Sequence, residues 1–294
     1  MARFNLRWQS KLVLLLVLPY TAVGVVVHAL TWWTQAPAVL LWALGLSGLL
    51  GLVAWKVRTA TPPAAASGAI ITASLMFSTF VFPYRPWNTA LIPVLAVLLL
   101  TSFATRFGRH NKELLGTAEK RHGRGAPQVA ANLGIAALVL EPAIQSRLID
   151  SHVFSPPASA PLLIFVLGLA ALAEAAADTV SSEIGQVLGG QPRMITTLRR
   201  VDPGTDGGVT LAGTLAGVIA AGVVSGAGCV ALRGDPSLFA IGWAGGVFGL
   251  FFDSLLGATA ERAGWLNNDG VNFLSTASAA GFALAIVAFM PQAG

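Results

Sequence analysis

Residues 12–30 read LVLLLVLPYTAVGVVVHAL and contain no Asp, Glu, Lys or Arg. An α-helix needs about 20 mostly apolar residues to cross the hydrocarbon core of a bilayer. This stretch is long enough to cross, and no small-x-small cleavage site follows it. We therefore expect a retained membrane-spanning helix rather than a cleaved signal peptide.

The composition of the whole chain is that of a membrane protein. Of its 294 residues, 55% are hydrophobic and 11% are charged, and the mean hydropathy is +0.71. Soluble domains carry about 25% charged residues. The net charge of +5 does not indicate a nucleic-acid partner, because the basic residues lie in short segments between apolar stretches. We expect a lipid bilayer as a partner and no nucleic acid.

The apolar stretches predict an all-α, polytopic transmembrane helix bundle. We expect about nine spans in a single integral membrane domain that covers residues 1–294. The predicted spans lie near residues 12–30, 37–55, 64–82, 88–107, 127–146, 159–181, 208–232, 236–257 and 270–290.

The distribution of basic residues predicts the orientation of these spans. In the nine-span topology, 15 of the 18 Lys and Arg residues fall on one side, and Arg85, Arg147 and Arg233 fall on the other. Basic loops face the cytoplasm, so the N-terminus and the loops 108–126 and 182–207 are predicted to be cytoplasmic. We expect a multi-pass protein, of the plasma membrane if the cell is prokaryotic, with its active site on the cytoplasmic side.

Carboxylates at membrane depth are costly and mark functional sites. Asp178 lies in AEAAADTVSSEIG, Asp253 lies in FFDSLLGATAE, and Glu183 is expected at the frayed end of the sixth span. Mg²⁺ binds one or two carboxylates and shares its other positions with water and phosphate. The three residues are therefore candidate metal ligands. Alternatively, each of them caps a helix or pairs with an arginine.

The loop RRVDPGTDGGVTLAGT, residues 199–214, has the parts of a phosphate site. Gly207 and Gly208 permit unusual backbone conformations, and the next helix is expected to begin near Thr210. A helix N-terminus after a Gly-rich loop suits phosphate. Arg199 adds guanidinium donors, and Asp206 adds a carboxylate that could act as a metal ligand or a base. The alternative is that the loop is only a connector.

Two further segments are predicted to face the same side. The basic loop contains Lys112 and is followed by Gln128 and Asn132, one helical turn apart. The segment ERAGWLNNDGVNF contains Asn268 and Asn272, which could hydrogen-bond a nucleotide or a metal-bound water. The alternatives are plain positive-inside anchoring for the first segment and helix capping for the second.

From about residue 60 to its end, the sequence resembles the membrane family known as domain-of-unknown-function 92, which includes a plant phytyl-phosphate kinase of tocopherol synthesis. The segments that carry the likeness are GRGAPQVAANLG, ADTVSSEIG, ITTLRRVDPGTDGGVTLAGTLAG, DSLLGATAE and NNDGVNF. The second and third are also similar to the CTP-dependent phytol and dolichol kinases. The residues that match the pattern of those kinases are Asp178, Ser182, Gly185, Arg199, Gly204 and Thr205.

The resemblance implies an isoprenoid-phosphate kinase. Such an enzyme transfers a phosphoryl group from a nucleotide, CTP or another such as ATP, to a prenyl or phytyl monophosphate, with Mg²⁺ as the cofactor. It implies Asp178, Asp253 and Asp206 as catalytic residues.

Other functions stay open at this point. One is a kinase that acts on the free prenol, and another is a nucleotidyltransferase that forms a CDP-lipid. A transporter or lipid flippase is the alternative of another class, because membrane carboxylates also bind and relay transported substrates. The isoprenoid chain length, the pathway served (tocopherol supply or prenol salvage) and the oligomeric state are open as well.

Overall fold

The computed structural model describes residues 7–80, 82–118, 123–150, 160–234 and 236–290. Three basic residues counted on the cytoplasmic side, Arg3, Lys120 and Arg121, lie outside these ranges, as does the first residue of the sixth predicted span.

The described residues form eleven α-helices, so the prediction of an all-α polytopic membrane protein is confirmed. The helices are α1 Arg7–Gln35, α2 Pro37–Lys56, α3 Pro62–Ser78, α4 Leu91–Arg106, α5 Arg109–Leu114, α6 Ala126–Leu140, α7 Pro142–Asp150, α8 Ala160–Leu188, α9 Leu211–Ala231, α10 Pro236–Leu256 and α11 Asn268–Phe289. A π-helical turn, Gly257–Glu261, extends α10.

Helix α8 occupies the centre of the bundle and packs against α4, α6, α9, α10 and α11. Its surface is rich in alanine, and the facing helices present glycines, so the backbones approach closely. A Cβ on Gly246 of α10 would lie 2.7 Å from the Cβ of Ala173, and one on Gly217 of α9 would lie 2.8 Å from the carbonyl oxygen of Ala177. This close packing fixes the face of α8 that carries Asp178.

Helices α1 and α2 lie at the periphery and expose large apolar side chains. Leu15, Leu30 and Leu41 are each about 70% exposed. Helix faces that expose many large apolar side chains are unfavourable in water and suit the hydrocarbon of a bilayer.

Six of the described helices are long and apolar enough to cross a membrane, and the number rises to eight if each of two bent helix pairs forms one span. The ninth candidate is α3, whose 17 residues are at the lower limit of about 17 residues for a crossing. The count of nine spans, like the cytoplasmic position of the N-terminus, therefore stays a prediction.

The fifth predicted span, 127–146, is wrong as a continuous helix. Helix α6 ends at Leu140, Glu141 has extended backbone angles, and α7 begins at Pro142 with a bend of 55°. The cause is Pro142, because a proline disfavours helical angles in the residue before it. Ser74 of α3 donates a 2.6 Å hydrogen bond to the Glu141 carboxylate at this break.

The loop between α8 and α9 also differs from the prediction. Helix α8 does not fray before Glu183 but continues to Leu188, where Gly189 and Gly190 end it. Helix α9, the seventh predicted span, begins after Thr210, as expected. Gly208 and Val209, however, form a strand rather than the start of the span. This strand pairs antiparallel with Arg193–Met194 in a small two-stranded sheet.

Helices α1 and α11 are joined at their N-terminal ends by a set of side-chain hydrogen bonds, here called the α1–α11 clasp. Gln9 donates to the carbonyl oxygen of Trp265 at 2.8 Å and accepts from the backbone N–H of Asn267 at 2.8 Å. Ser10 donates to Asp269 at 2.6 Å and accepts from the Asn267 amide at 3.0 Å. The clasp holds the start of α11 in place beside the cleft described next.

Candidate active site

A polar cleft lies at the end of the bundle where α8 and α10 end and α9 and α11 begin. It encloses about 1000 Å³ of space that is open to solvent. Four of the segments singled out in the sequence converge on it: the second half of α8, the loop 204–210, the end of α10 and the start of α11. Its polar lining residues include Asp178, Ser181, Ser182, Gln186, Thr205, Asp206, Thr210, Asp253, Ser254, Glu261 and Asn268.

The carboxyl groups of Asp178 and Asp253 face each other across the cleft floor. Their side chains are close enough to interact electrostatically, and Asp253 also lies near Ser275. The second oxygen of Asp253, Oδ2, is buried and has no hydrogen-bond partner. Two buried carboxylates that interact in this way favour a proton or a cation between them.

Two more carboxylates face the same space. Asp206 in the loop and Glu261 in the π-helical turn interact electrostatically with each other, and Glu261 also interacts with Asp178. No Lys or Arg is among the described residues that line the cleft. A polyphosphate could enter so acidic a space only together with cations.

The glycines of the loop have specific packing roles. Gly207 has φ +75°, a left-handed conformation, and a Cβ there would collide with the backbone of Ala258. A Cβ on Gly208 would lie 2.9 Å from the carbonyl oxygen of Thr205, and Gly204 has φ +81°. The loop therefore reaches the end of α10 only because Gly207 lacks a side chain.

The N-terminus of α9 points into the cleft from behind this loop. Thr210 is its N-cap, and the Thr210 hydroxyl accepts a 3.1 Å hydrogen bond from the backbone N–H of Gly213. Gly208, Val209 and Thr210 all line the cleft. The positive end of the helix dipole thus faces the carboxylates and favours an anion bound between them.

Three residues predicted for nucleotide or metal binding lie elsewhere. Arg199 is exposed on the loop and is not part of the cleft lining. Lys112 is 1% exposed and donates to the Glu183 carboxylate at 2.5 Å and to the carbonyl oxygen of Ala104 at 2.8 Å. This pair joins α5 to α8, and neither Lys112 nor Glu183 is among the residues that line the cleft.

The polar residues predicted as ligands on α6 and α11 lie in different places. Asn268 lines the cleft. Asn272 is buried and donates a 2.9 Å hydrogen bond to Asn132, which ties α11 to α6 inside the bundle. Gln128 lies half-buried in the first turn of α6, one turn before Asn132.

The sequence interpretation missed Arg124 as a site residue. Its guanidinium interacts electrostatically with Asp178 and donates a 3.2 Å hydrogen bond to the hydroxyl of Thr101. The backbone of Arg124 is bonded to Thr59 and Thr61. A signal was present: an arginine between two glycines directly before a helix is more specific than general basic anchoring.

The cleft fits Mg²⁺ bound by two protein carboxylates. In the part of the chain that the structure describes, no three or more His, Cys, Asp or Glu residues are arranged to hold a metal ion. The close Asp178–Asp253 pair and the unpartnered Asp253 oxygen nevertheless suit a cation whose other ligands are water and phosphate oxygens.

The fold and the cleft define a polytopic helical membrane protein with an acidic site at one end of its bundle. The chain belongs to the integral membrane protein family DUF92, whose model matches residues 45–280.

Several relatives are similar over long stretches. An uncharacterized membrane protein of Synechocystis sp., sll0875, is 32% identical over 212 residues, which are 69% of this chain and 75% of that protein. Protein VTE6, a chloroplast protein of Arabidopsis thaliana, is 30% identical over 214 residues, 71% of this chain and 61% of that protein.

A third relative matches over a shorter stretch. The uncharacterized membrane protein MJ0933 of Methanocaldococcus jannaschii is 45% identical over 108 residues, 37% of this chain. The chain spans 45% of the length of that protein. No solved structure matches this chain.

Proposed function

We propose that this protein is an isoprenoid-phosphate kinase. It transfers the γ-phosphoryl group of a nucleoside triphosphate, CTP by resemblance to the phytol and dolichol kinases, to a prenyl or phytyl monophosphate. The observation that carries the proposal is the Asp178–Asp253 carboxyl pair facing a Gly-rich loop and the N-terminus of α9 in one cleft. The active site faces the cytoplasm, where the nucleotide is found.

The proposed reaction needs little covalent chemistry from the protein. A phosphate oxygen of the lipid attacks the γ-phosphorus, and the bond between that phosphorus and the β–γ bridging oxygen breaks. The products are the lipid diphosphate and the nucleoside diphosphate. Catalysis of such a transfer depends on positioning and charge neutralisation, and bound Mg²⁺ would supply the charge neutralisation at the phosphate oxygens.

The chain's own residues have distinct roles in this proposal. Asp178 and Asp253 would hold Mg²⁺, and Asp206 at the cleft mouth would add a further carboxylate. The backbone of Gly207 and Gly208 and the N-terminus of α9 would hold the polyphosphate. Thr205 and Asn268 line the same space and would contact the nucleotide.

The bundle itself supports a lipid substrate. An isoprenoid chain partitions into the hydrocarbon region, whereas a nucleoside triphosphate stays in water. A cleft at one end of a membrane bundle is where the two can meet. The acidic residues that line the cleft lie together at this one end.

The test is a turnover assay with purified protein in detergent, Mg²⁺ and geranylgeranyl phosphate, run in parallel with CTP labelled at the γ-phosphorus and CTP labelled in the cytosine ring. We expect the γ-label in geranylgeranyl diphosphate and the cytosine label in CDP. A labelled CDP-lipid would indicate a nucleotidyltransferase, and transfer to geranylgeraniol alone would indicate a prenol kinase. No transfer from CTP, ATP, GTP or UTP to any prenyl acceptor would refute the proposal.

Variants of the carboxyl pair test the site. Asp178→Asn and Asp253→Asn should each lower turnover at least about tenfold, a barrier change of about 1.4 kcal/mol or more. Asp150→Asn is the matched control, because Asp150 is exposed at the end of α7 and lies outside the cleft. Wild-type turnover in both cleft variants would exclude the carboxyl pair from the mechanism.

A further inference from the structure

An apolar cavity lies beside α8, among the helices of the first half of the chain. It encloses about 680 Å³ of space, part of which is open to its surroundings. Its walls come from α2, α3, α4 and α6, and α8 contributes Ala175. Buried residues such as Ala64, Thr72 and Val94 line it. Ala175 is one turn before Asp178, so the cavity ends close to the carboxyl pair.

A second pocket adjoins this cavity and is lined by four arginines; it is here called the arginine pocket. It encloses about 440 Å³, and Thr59, Leu98 and Arg124 line both spaces. The four arginines come from just after α2, the end of α4, the start of α5 and two residues before α6. They are Arg58, Arg106, Arg109 and Arg124.

The charges of the arginine pocket favour an anion. Arg109 pairs with Glu113 at 3.1 Å, and Arg124 interacts with Asp178. Four arginines and no Asp or Glu are among the described residues that line the pocket. The planar guanidinium binds phosphate through two parallel hydrogen bonds, so a cluster of arginines is a typical phosphate site.

The two spaces together have the shape and polarity of an amphiphile with an anionic head and an apolar tail. We propose that the isoprenoid monophosphate binds here, with its phosphate in the arginine pocket and its chain in the apolar cavity. This inference rests on the proposed function for the identity of the ligand. It separates the lipid phosphate from the nucleotide, which binds in the acidic cleft.

The link through Arg124 favours a substrate over a structural phospholipid. Arg124 lines both the cavity and the arginine pocket and interacts with Asp178 in the acidic cleft. A phosphate held by Arg124 would therefore lie next to the carboxyl pair that holds the nucleotide's metal. A phospholipid that only fills space would need no such connection to the cleft.

Photoaffinity labelling of the wild-type protein tests the location without any nucleotide. The probe is geranylgeranyl phosphate with a diazirine at the end of its chain, and mass spectrometry maps the labelled peptides. We expect labels in α3 and α4, and competition by unlabelled geranylgeranyl phosphate. Labels confined to other helices, or equal competition by phosphatidylglycerol, would overturn the proposal.

A side chain that fills the apolar cavity should weaken the binding of long prenyl phosphates but not of short ones. A Cβ at Gly68 meets only Val129, at 3.7 Å, so the Gly68→Leu side chain fits the helix and occupies the cavity. We expect its dissociation constant for geranylgeranyl phosphate to rise roughly tenfold or more, which is about 1.4 kcal/mol, with that for dimethylallyl phosphate unchanged. Gly45→Leu is the control, because a Cβ at this exposed position of α2 meets nothing within 4 Å.

The head-group site has its own pair of variants. Arg58→Gln should weaken binding of both prenyl phosphates roughly tenfold and leave binding of geranylgeraniol unchanged. Arg147→Gln, on exposed α7 away from both spaces, should leave all three unchanged. Equal affinity of wild type and Arg58→Gln for the phosphates would remove the arginine pocket from the proposal.

These binding results are separable from the test of the kinase activity. Labelling in α3 and α4 without any phosphoryl transfer would refute the proposed function and uphold this site. Phosphoryl transfer with labels elsewhere would do the reverse.

Discussion

Replacing Lys112 by methionine should destabilise the protein strongly and leave nucleotide binding intact. The Lys112 side chain is 1% exposed and that of its partner Glu183 is 12% exposed, with 2.5 Å between their charged atoms. Removing one member of a buried ion pair leaves the other charge uncompensated and costs about 3–5 kcal/mol. At about 2 °C per kcal/mol for a chain of this size, the midpoint of thermal unfolding should fall by roughly 6–10 °C.

The assay is intrinsic tryptophan fluorescence during heating in detergent. The double variant Lys112→Met, Glu183→Gln removes both charges and should recover at least half of the loss. Glu113→Gln is the control, because Glu113 forms an exposed pair with Arg109, and such pairs contribute less than about 1 kcal/mol. A Lys112→Met protein that keeps the wild-type midpoint but loses nucleotide affinity would refute this reasoning and make Lys112 a nucleotide ligand.

Three further outcomes are expected. Nucleotide binding, measured by calorimetry, should vanish when EDTA removes Mg²⁺, because four acidic residues line the cleft and no described lining residue is basic. An affinity unchanged by EDTA would contradict this. Gly207→Ala should lower turnover at least about tenfold, because its Cβ collides with Ala258, whereas wild-type turnover would show that the loop has room to move. In a Cys229→Ser background, single cysteines that replace the exposed residues Ser182 and Ser146 should react with impermeant maleimide from opposite sides of the membrane. Labelling of both from the same side would contradict the predicted topology.

Much of the architecture could be predicted from local sequence patterns. Uninterrupted apolar runs located the helices, and a Gly-rich loop followed by threonine located the start of α9 at Thr210. The break at Pro142 was also visible in the sequence, because the residue before a proline disfavours the helix. The apolar run across that proline masked the signal.

The pairing of side chains could not be predicted in the same way. Asp178, Asp206 and Asp253 do line one cleft, since their segments all lie at the same end of the bundle. The partner of Lys112, however, depends on how α5 packs against α8, and a loop lysine in a membrane protein is already explained by topology. Arg124 was passed over for the same reason, although it interacts directly with Asp178.

The α1–α11 clasp has a consequence for biogenesis. Gln9 and Asn267 are 258 positions apart, and at a synthesis rate of about 5–20 residues per second the second follows the first by between about 13 and 50 s. During that interval α1 is already inserted, and the Gln9 side chain lacks its hydrogen bond with the backbone N–H of Asn267. The clasp can therefore close only after all the intervening helices have been synthesised, and the cleft beside it is completed only once the start of α11 has been made.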